Sequence, residues 1–199
     1  MKIVLFGSSG TVGRAVADEL GHRHDLIRVG RASGDVNADV TDPASVNRLL
    51  ETLGKIDALV CATGKVHFGP LGGMTSELLS VGLRDKLLGQ ANVALAGQRF
   101  LADGGSITLS SGILSEAFIR DGSSASMVNG AIEAFVRAAA IELTRGMRIN
   151  VVNASVLEEA MGAYGPYFRG FESVPAARVA LAYSRSVEGA ETGQIYRVR

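Results

Sequence analysis

Seven residues near the start of the chain, Gly7-Ser8-Ser9-Gly10-Thr11-Val12-Gly13, space three glycines so that backbone can come close to a pyrophosphate. A Cβ would block that approach, and the free N–H groups at the start of a helix meet the negative charge. Lys2–Phe6 (KIVLF) precedes the loop as a short branched apolar run, the mark of a buried strand. Arg14–Leu20 follows it as a helix. Strand, glycine-rich turn and helix in this order open a dinucleotide-binding fold. A second chemical signal stands at the end of the next strand, Asp25–Gly30. A site that selects NAD places a carboxylate there for the ribose 2′-hydroxyl. This chain instead continues Arg31-Ala32-Ser33, without an acid. Arg31 offers a fork of donors suited to phosphate and Ser33 adds a hydroxyl, so NADP(H) is the expected cofactor and NAD the lesser one.

Alternating elements position these residues. After the strand at 25–30, Asp42-Pro43 begins a helix to about Leu53, with Pro43 in the first turn where its missing N–H costs nothing. Ile56–Cys61 is a strand, 76–101 is helical with interruptions at Gly82, Gly89 and Gly97, and Ser106–Ser110 is a strand. Ser126–Thr144 repeats apolar residues on one helical face. Arg148–Asn153 is a strand, Pro175–Ser184 a helix and Gln194–Val198 a last strand. Such alternation predicts a doubly wound, mostly parallel α/β sheet with helices on both faces, and ligands at the carboxyl ends of the strands. Those ends are Gly7, Gly30-Arg31, Ala62-Thr63-Gly64, Ser110-Ser111 and Asn153–Val156. The segment from Arg31 to Asp39 is too short for a crossover helix, which leaves the adenosine side open.

Composition narrows the class. The 199 residues, 47% hydrophobic, suit a single Rossmann domain over 1–199 with a full core. A formal net charge of zero and the absence of charge runs argue against nucleic acid or an acidic membrane surface as partner. Cys61 is the single cysteine, which permits no intrachain disulfide and suits a reducing cytoplasm. Residues 2–6 are too short for an export signal. His22 and His24 precede the second strand, and their spacing alone makes no metal site.

What the strand ends carry resembles the short-chain dehydrogenase/reductase family over nearly the whole length. Gly7-x-x-Gly10-x-x-Gly13 stands where the family has its glycine motif, although the spacing departs from the common TGxxxGxG form. Asp39-Val40-Thr41-Asp42 matches the acidic motif, whose first Asp contacts the adenine, and Ala62-Thr63-Gly64 matches the NAG motif. Ser110-Ser111 matches the serine pair that supplies a catalytic hydroxyl. Arg148-Ile149-Asn150-Val151-Val152 matches the RVN segment, and Gly189 with Thr192-Gly193 resembles the C-terminal GxxxTG. The resemblance implies cofactor contacts from the 7–13 turn, Arg31, Ser33, Asp39, Val40, Ala62, Thr63, Gly64 and Val156, and a homodimer or homotetramer paired through the helices at 76–101 and 126–144.

The departures are equally informative. The family uses Tyr-x-x-x-Lys on the helix after the serine strand, the Tyr moving the proton at the carbonyl and the Lys lowering its pKa and holding the ribose. Here Ala125 and Asn129 fall at those positions, and the first tyrosine is Tyr164. The family's helix Asn is replaced by Lys86, and the proline-glycine after the next strand by Ala154-Ser155. Asn-Gly-Ala at 129–131, with Lys86 and Gly-Gln at 89–90, looks like a divergent bacterial branch of the family. Ser111 can still bind a carbonyl oxygen, and Lys86 can act as the acid where burial lowers its pKa. Tyr164 and Tyr167 belong to a segment that closes over substrate in relatives, His67 is read as an exposed loop residue, and Glu158-Glu159 as the start of a solvated helix. The expected activity is hydride transfer between NADP(H) and a small carbonyl or alcohol, with an atypical active site; a catalytically silent NADP(H)-binding sensor is the alternative.

Overall fold

The computed structural model describes residues 1–199. Its elements run β1 (Lys2–Phe6), α1 (Thr11–Gly21), β2 (Asp25–Gly30), β3 (Val36–Asn37), α2 (Pro43–Leu53), β4 (Ile56–Cys61), α3 (Ser76–Gly82), a π-helical segment (Leu83–Leu88), α4 (Gly89–Gly97), β5 (Leu101–Ser110), α5 (Ser123–Glu142), β6 (Arg148–Ala154), the short α6 (Met161–Tyr164), α7 (Ala176–Glu188) and β7 (Ile195–Val198). The strands form one seven-stranded parallel sheet in the order β3-β2-β1-β4-β5-β6-β7. Chain order reverses between β1 and β4, the place where sheets of this kind leave a crevice for ligands.

Period-two alternation along the strands divides the core. Ile3 and Leu5 of β1 face α1 and α7, where they pack with Val16, Leu20, Val179 and Tyr183. Val4 and Phe6 point the other way, toward Val46, Leu50, Val93, Val128 and Ile132 from α2, α4 and α5. Residues buried on both faces of a sheet explain why the strands read as unbroken apolar runs. A third, smaller cluster of Ile113, Leu114, Ala125, Val156 and Phe168 lies beyond the strand ends.

The structure corrects several sequence boundaries. β3 was not expected: two residues carry no periodicity, and the strand is made by a tight five-residue loop after β2. Asp35 closes that loop by accepting the Arg28 amide at 2.8 Å and returning its own amide to the Arg28 carbonyl at 2.8 Å. The helix expected through 101 stops at Gly97, and β5 begins at Leu101, which pairs with Ile56 despite the turn-like Asp103-Gly104-Gly105. α5 starts at Ser123, before its apolar period becomes visible. Glu158 and Glu159 lie in a short 3-10 turn over 158–160, and the Glu159 carboxylate accepts the Ala176 amide at 2.9 Å, capping α7.

Candidate functional site

Two hollows meet at the carboxyl edge of the sheet. The first, about 380 Å³, sits at the β1/β4 reversal and is lined by Gly7, Ser9, Gly10, Gly30, Arg31, Val40, Ala62, Thr63, Gly64, Lys65 and Asp85 among others. The second, about 310 Å³, lies beyond β5 and β6 and is mostly apolar, with Val66, Phe68, Ile113, Leu114, Val156 and Phe168 in its wall and Ser111, Lys86, Asn129, Ser155 and Tyr164 among its polar side chains. Gly64 borders both.

Each glycine of the 7–13 turn answers to a different demand. Gly7 has φ +83°, and a Cβ there would lie 2.6 Å from the Ala62 carbonyl oxygen. A Cβ on Gly13 would come within 2.0 Å of the Gly7 oxygen, so this glycine lets α1 seat on the turn. At Gly10 a Cβ would meet only that same oxygen, at 3.4 Å. The fold itself thus tolerates a side chain at 10, and the open space lies on the side of the first hollow. α1 has no side-chain cap, and the amides of Ser9, Thr11 and Val12 have no partner within the chain. An uncapped, dipole-positive helix start facing a hollow fits a phosphate group.

Not every residue expected around this hollow faces it. Ser8 is buried with its hydroxyl toward the Val29 carbonyl, and Ser33 lies in the loop before β3, lining neither hollow. Val12 and Val156 line the apolar one. Arg31 is half exposed, with Nη2 3.2 Å from Asp85 and Nε 3.5 Å from Asp39. Thr41 donates its amide and hydroxyl to Asp39 at 2.9 and 2.8 Å, which holds that carboxyl below its usual range.

The π-helical segment brings the polar groups of the second hollow together. A π turn adds a residue to the helical ring and shifts the faces around it. Asp85 points to Arg31 and to the Lys65 amide (2.7 Å), while the next residue, Lys86, enters the second hollow. Its stem crosses Gly64, where a Cβ would lie 2.3 Å from Lys86 Cγ, and its Nζ donates to the Ser111 carbonyl at 3.1 Å. Burial lowers the Lys86 pKa to about 8, against the opposing pull of Glu133. From the facing helix, Asn129 Nδ2 donates to the next carbonyl, Gly112, at 3.3 Å, and its buried Oδ1 has no partner. The amide on α5 and the ammonium on the π segment therefore hold adjacent carbonyls at the end of β5.

The serine pair splits between two faces. Ser110 turns inward, its hydroxyl 2.7 Å from the Cys61 carbonyl and 2.5 Å from Tyr183 Oη. Fully buried Gln90 locks the same residue by accepting its amide at 2.7 Å and donating to its carbonyl at 2.8 Å. Ser111 turns to the hollow and donates its hydroxyl to Glu133 Oε1 at 2.7 Å. Glu133, buried on α5, also accepts from Ser115 Oγ at 2.8 Å and from Asn153 Nδ2 at 2.6 Å. Sequence assigned neither Gln90 nor Glu133 a role in the site. The signal for Glu133 was its place one and two turns after Asn129 and Ala125, as the one charged residue on the buried face of α5. At the mouth, Phe68 packs against Tyr164 and Tyr167 with ring centres 5.4 and 5.7 Å apart. His67 is half buried and lines neither hollow, and no group of three or more His, Cys, Asp or Glu is placed to hold a metal.

The sheet order, the glycine turn at its reversal and the serine at the end of β5 define a Rossmann-type α/β protein of oxidoreductase architecture. The chain belongs to the short-chain dehydrogenase/reductase family: the profile described as Enoyl-(Acyl carrier protein) reductase matches residues 11–196. The crystal structure of the protein lin1944 from Listeria innocua is 48% identical, with 100% of both chains covered and a TM-score of 0.98. A small-chain dehydrogenase in complex with NADPH is 25% identical over 100% of this chain and 96% of its own, with a TM-score of 0.88. A short chain dehydrogenase from Mycobacterium smegmatis, 23% identical over 100% and 91%, shares the fold with a TM-score of 0.84. No curated protein matches the sequence. No helix is long and apolar enough to cross a membrane.

Proposed function

We propose that the chain is an NADP(H)-dependent oxidoreductase that transfers a hydride between the cofactor and a small, uncharged carbonyl or alcohol with an apolar body. The observation that carries this reading is the contact of the two hollows at Gly64, one bordered by the uncapped start of α1 and the other apolar and ending on Ser111. The 7–13 turn would hold the pyrophosphate, Arg31 the 2′-phosphate, Asp39 and Val40 the adenosine side, and Ala62–Gly64 and Val156 the remainder. A bound nicotinamide would supply or take the hydride. Ser111 orients the carbonyl oxygen, and Lys86, whose amine is readily neutralised, assists the proton balance.

Substrate class follows from the wall. Lys86 is the only cation in it, and that ammonium is already on the Ser111 carbonyl. A carboxylate or phosphate on the substrate would be desolvated without a free partner, whereas Phe68, Leu114, Tyr164 and Phe168 suit an alkyl or aryl group. The test is NADPH oxidation across a panel of neutral and anionic ketones and aldehydes, with cofactor binding followed by fluorescence in parallel. Turnover confined to neutral apolar carbonyls is expected. NADPH binding without turnover of any of them would favour a silent cofactor-binding protein instead.

A further inference from the structure

We propose that Ser111 and Glu133 form a proton relay that takes over the task of the missing tyrosine. The inference rests on the oxidoreductase reading above. Ala125 has no proton to transfer and Asn129 does not titrate, yet both line the second hollow. The exchangeable groups of that hollow are Lys86, Ser111, Ser155, whose hydroxyl is donated to the Glu172 carbonyl, Tyr164, packed on Phe68, and, one hydrogen bond deeper than Ser111, Glu133.

The geometry orders them. Ser111 is the hydroxyl that both faces the hollow and reaches a carboxylate, 2.7 Å away. Because its proton is donated to Glu133, its lone pairs are presented to a substrate hydroxyl. In alcohol oxidation the substrate O–H proton moves to Ser111 Oγ while the Oγ–H proton moves to Glu133 Oε1. The carbinol C–H electron pair would leave as hydride, which a bound oxidised nicotinamide would accept, and the C–O bond would become C=O. Reduction runs the same transfers in reverse, from a protonated Glu133. Ser111 is the catalytic residue here, and Glu133 acts through it.

Few charged groups face Glu133. Lys86 faces it from the π segment across Ser111, and Arg199 lies behind it after β7, bonded to Asn153 Oδ1 at 3.1 Å. Glu116 is turned away to Arg197 and Arg199. Ser115 and Asn153, its other neighbours, do not titrate near neutral pH. A buried carboxylate satisfied only as structure would call for replacement by any acceptor. A relay calls for a base.

Glu133→Gln separates the two roles. All three donors converge on Oε1, and a glutamine oxygen can keep them while losing the basic site. Oxidation of a neutral secondary alcohol is followed from pH 5 to 9 in the NADP-loaded protein, with thermal unfolding and NADPH fluorescence recorded for each variant. Glu133→Gln is expected to fold, to bind NADPH within about twofold of the native protein and to slow oxidation on the order of 10²-fold across that range. Glu133→Asp, which keeps a carboxylate base, should restore much of the rate. Ser111→Ala should cost as much as Glu133→Gln, and the double variant no more than either, as residues acting in one unit do. Apart from turnover, the infrared carboxylate band that vanishes in Glu133→Gln should shift in Ser111→Ala, which removes one of its donors. A Glu133→Gln protein within threefold of native rate, or two losses that multiply, overturns the relay. Intact NADPH binding with no turnover by the native protein also overturns the relay but leaves the binding reading standing. Absent NADPH binding removes both.

Discussion

Arg31 Nη2 lies 3.2 Å from Asp85 Oδ2, joining the end of β2 to the π segment across the mouth of the first hollow. The guanidinium proposed to receive a 2′-phosphate is thus already shared by Asp85 and, at 3.5 Å, by Asp39. A phosphate must displace one carboxylate or sit beside it, and Asp85 repels it.

Cofactor choice should respond to both partners. Arg31→Ala is expected to weaken NADPH about tenfold or more and leave NADH nearly unchanged, since a charge-assisted contact is worth roughly 1.5–3 kcal/mol. Asp85→Asn keeps an oxygen for the Lys65 amide but removes the repulsion, and should tighten NADPH over NADH. Titration of each variant with both cofactors measures the ratio; equal shifts for the two would remove Arg31 from the 2′-phosphate.

The glycine turn predicts two different failures. Gly13→Ala drives a Cβ to 2.0 Å from the Gly7 oxygen and should lower the melting temperature. A Cβ at position 10 meets only the Gly7 oxygen, at 3.4 Å, so Gly10→Val should still fold and yet fail to bind either cofactor. Calorimetry beside fluorescence titration distinguishes them, and unimpaired binding by Gly10→Val would mean that the turn does not cradle the pyrophosphate.

Lys86 should set part of the pH dependence of stability. Its folded pKa, about 8, lies below the ordinary 10.5, so between these values the unfolded chain holds a proton that the native state has shed. Its contribution is therefore complete above about pH 10.5 and is lost as pH falls through 8. Lys86→Met removes that slope. Relative to the native protein, the variant should gain most near pH 7 and progressively less up to pH 10.5, in melting curves taken across that range.

Reinstating the family pair is a direct test of the vacancy at 125. With the Ser111–Glu133 relay already supplying positioned acid catalysis, Ala125→Tyr with Asn129→Lys should leave carbonyl reduction unchanged or slow it by obstructing the hollow. A gain on the order of 10²-fold or more would mean that the proton-donor point is empty in the native protein.

Association through α5 is expected to give a homodimer or homotetramer. Met127, Ala131, Ala134, Ala138 and Ile141 follow one another at spacings of four and three, and Met127 and Ile141 are 42% and 87% exposed. Small residues in such a stripe let two helices approach closely. Light scattering should show an oligomer at micromolar concentration and a monomer for Ala134→Glu with Ala138→Glu; a native monomer would contradict the proposal.

Period and turn chemistry made the α/β order, the glycine turn and the serine strand end legible from sequence, because each is a local pattern: an apolar run, a glycine spacing, a Pro43 behind Asp42. Short β3 and the early start of α5 escaped, since neither carries a period of its own. Tertiary structure alone decided the site's chemistry. Which serine of Ser110-Ser111 faces the hollow depends on the strand's last pleat and on the grip of Gln90 from a helix twenty residues earlier. Lys86 reaches Ser111 only because the π segment turns it inward and Gly64 leaves space for its stem. Glu133 joins Ser111 across twenty-two residues of chain. Hydrogen bonds act over a few ångströms, and only packing the helices against the sheet brings residues so far apart in sequence within that distance.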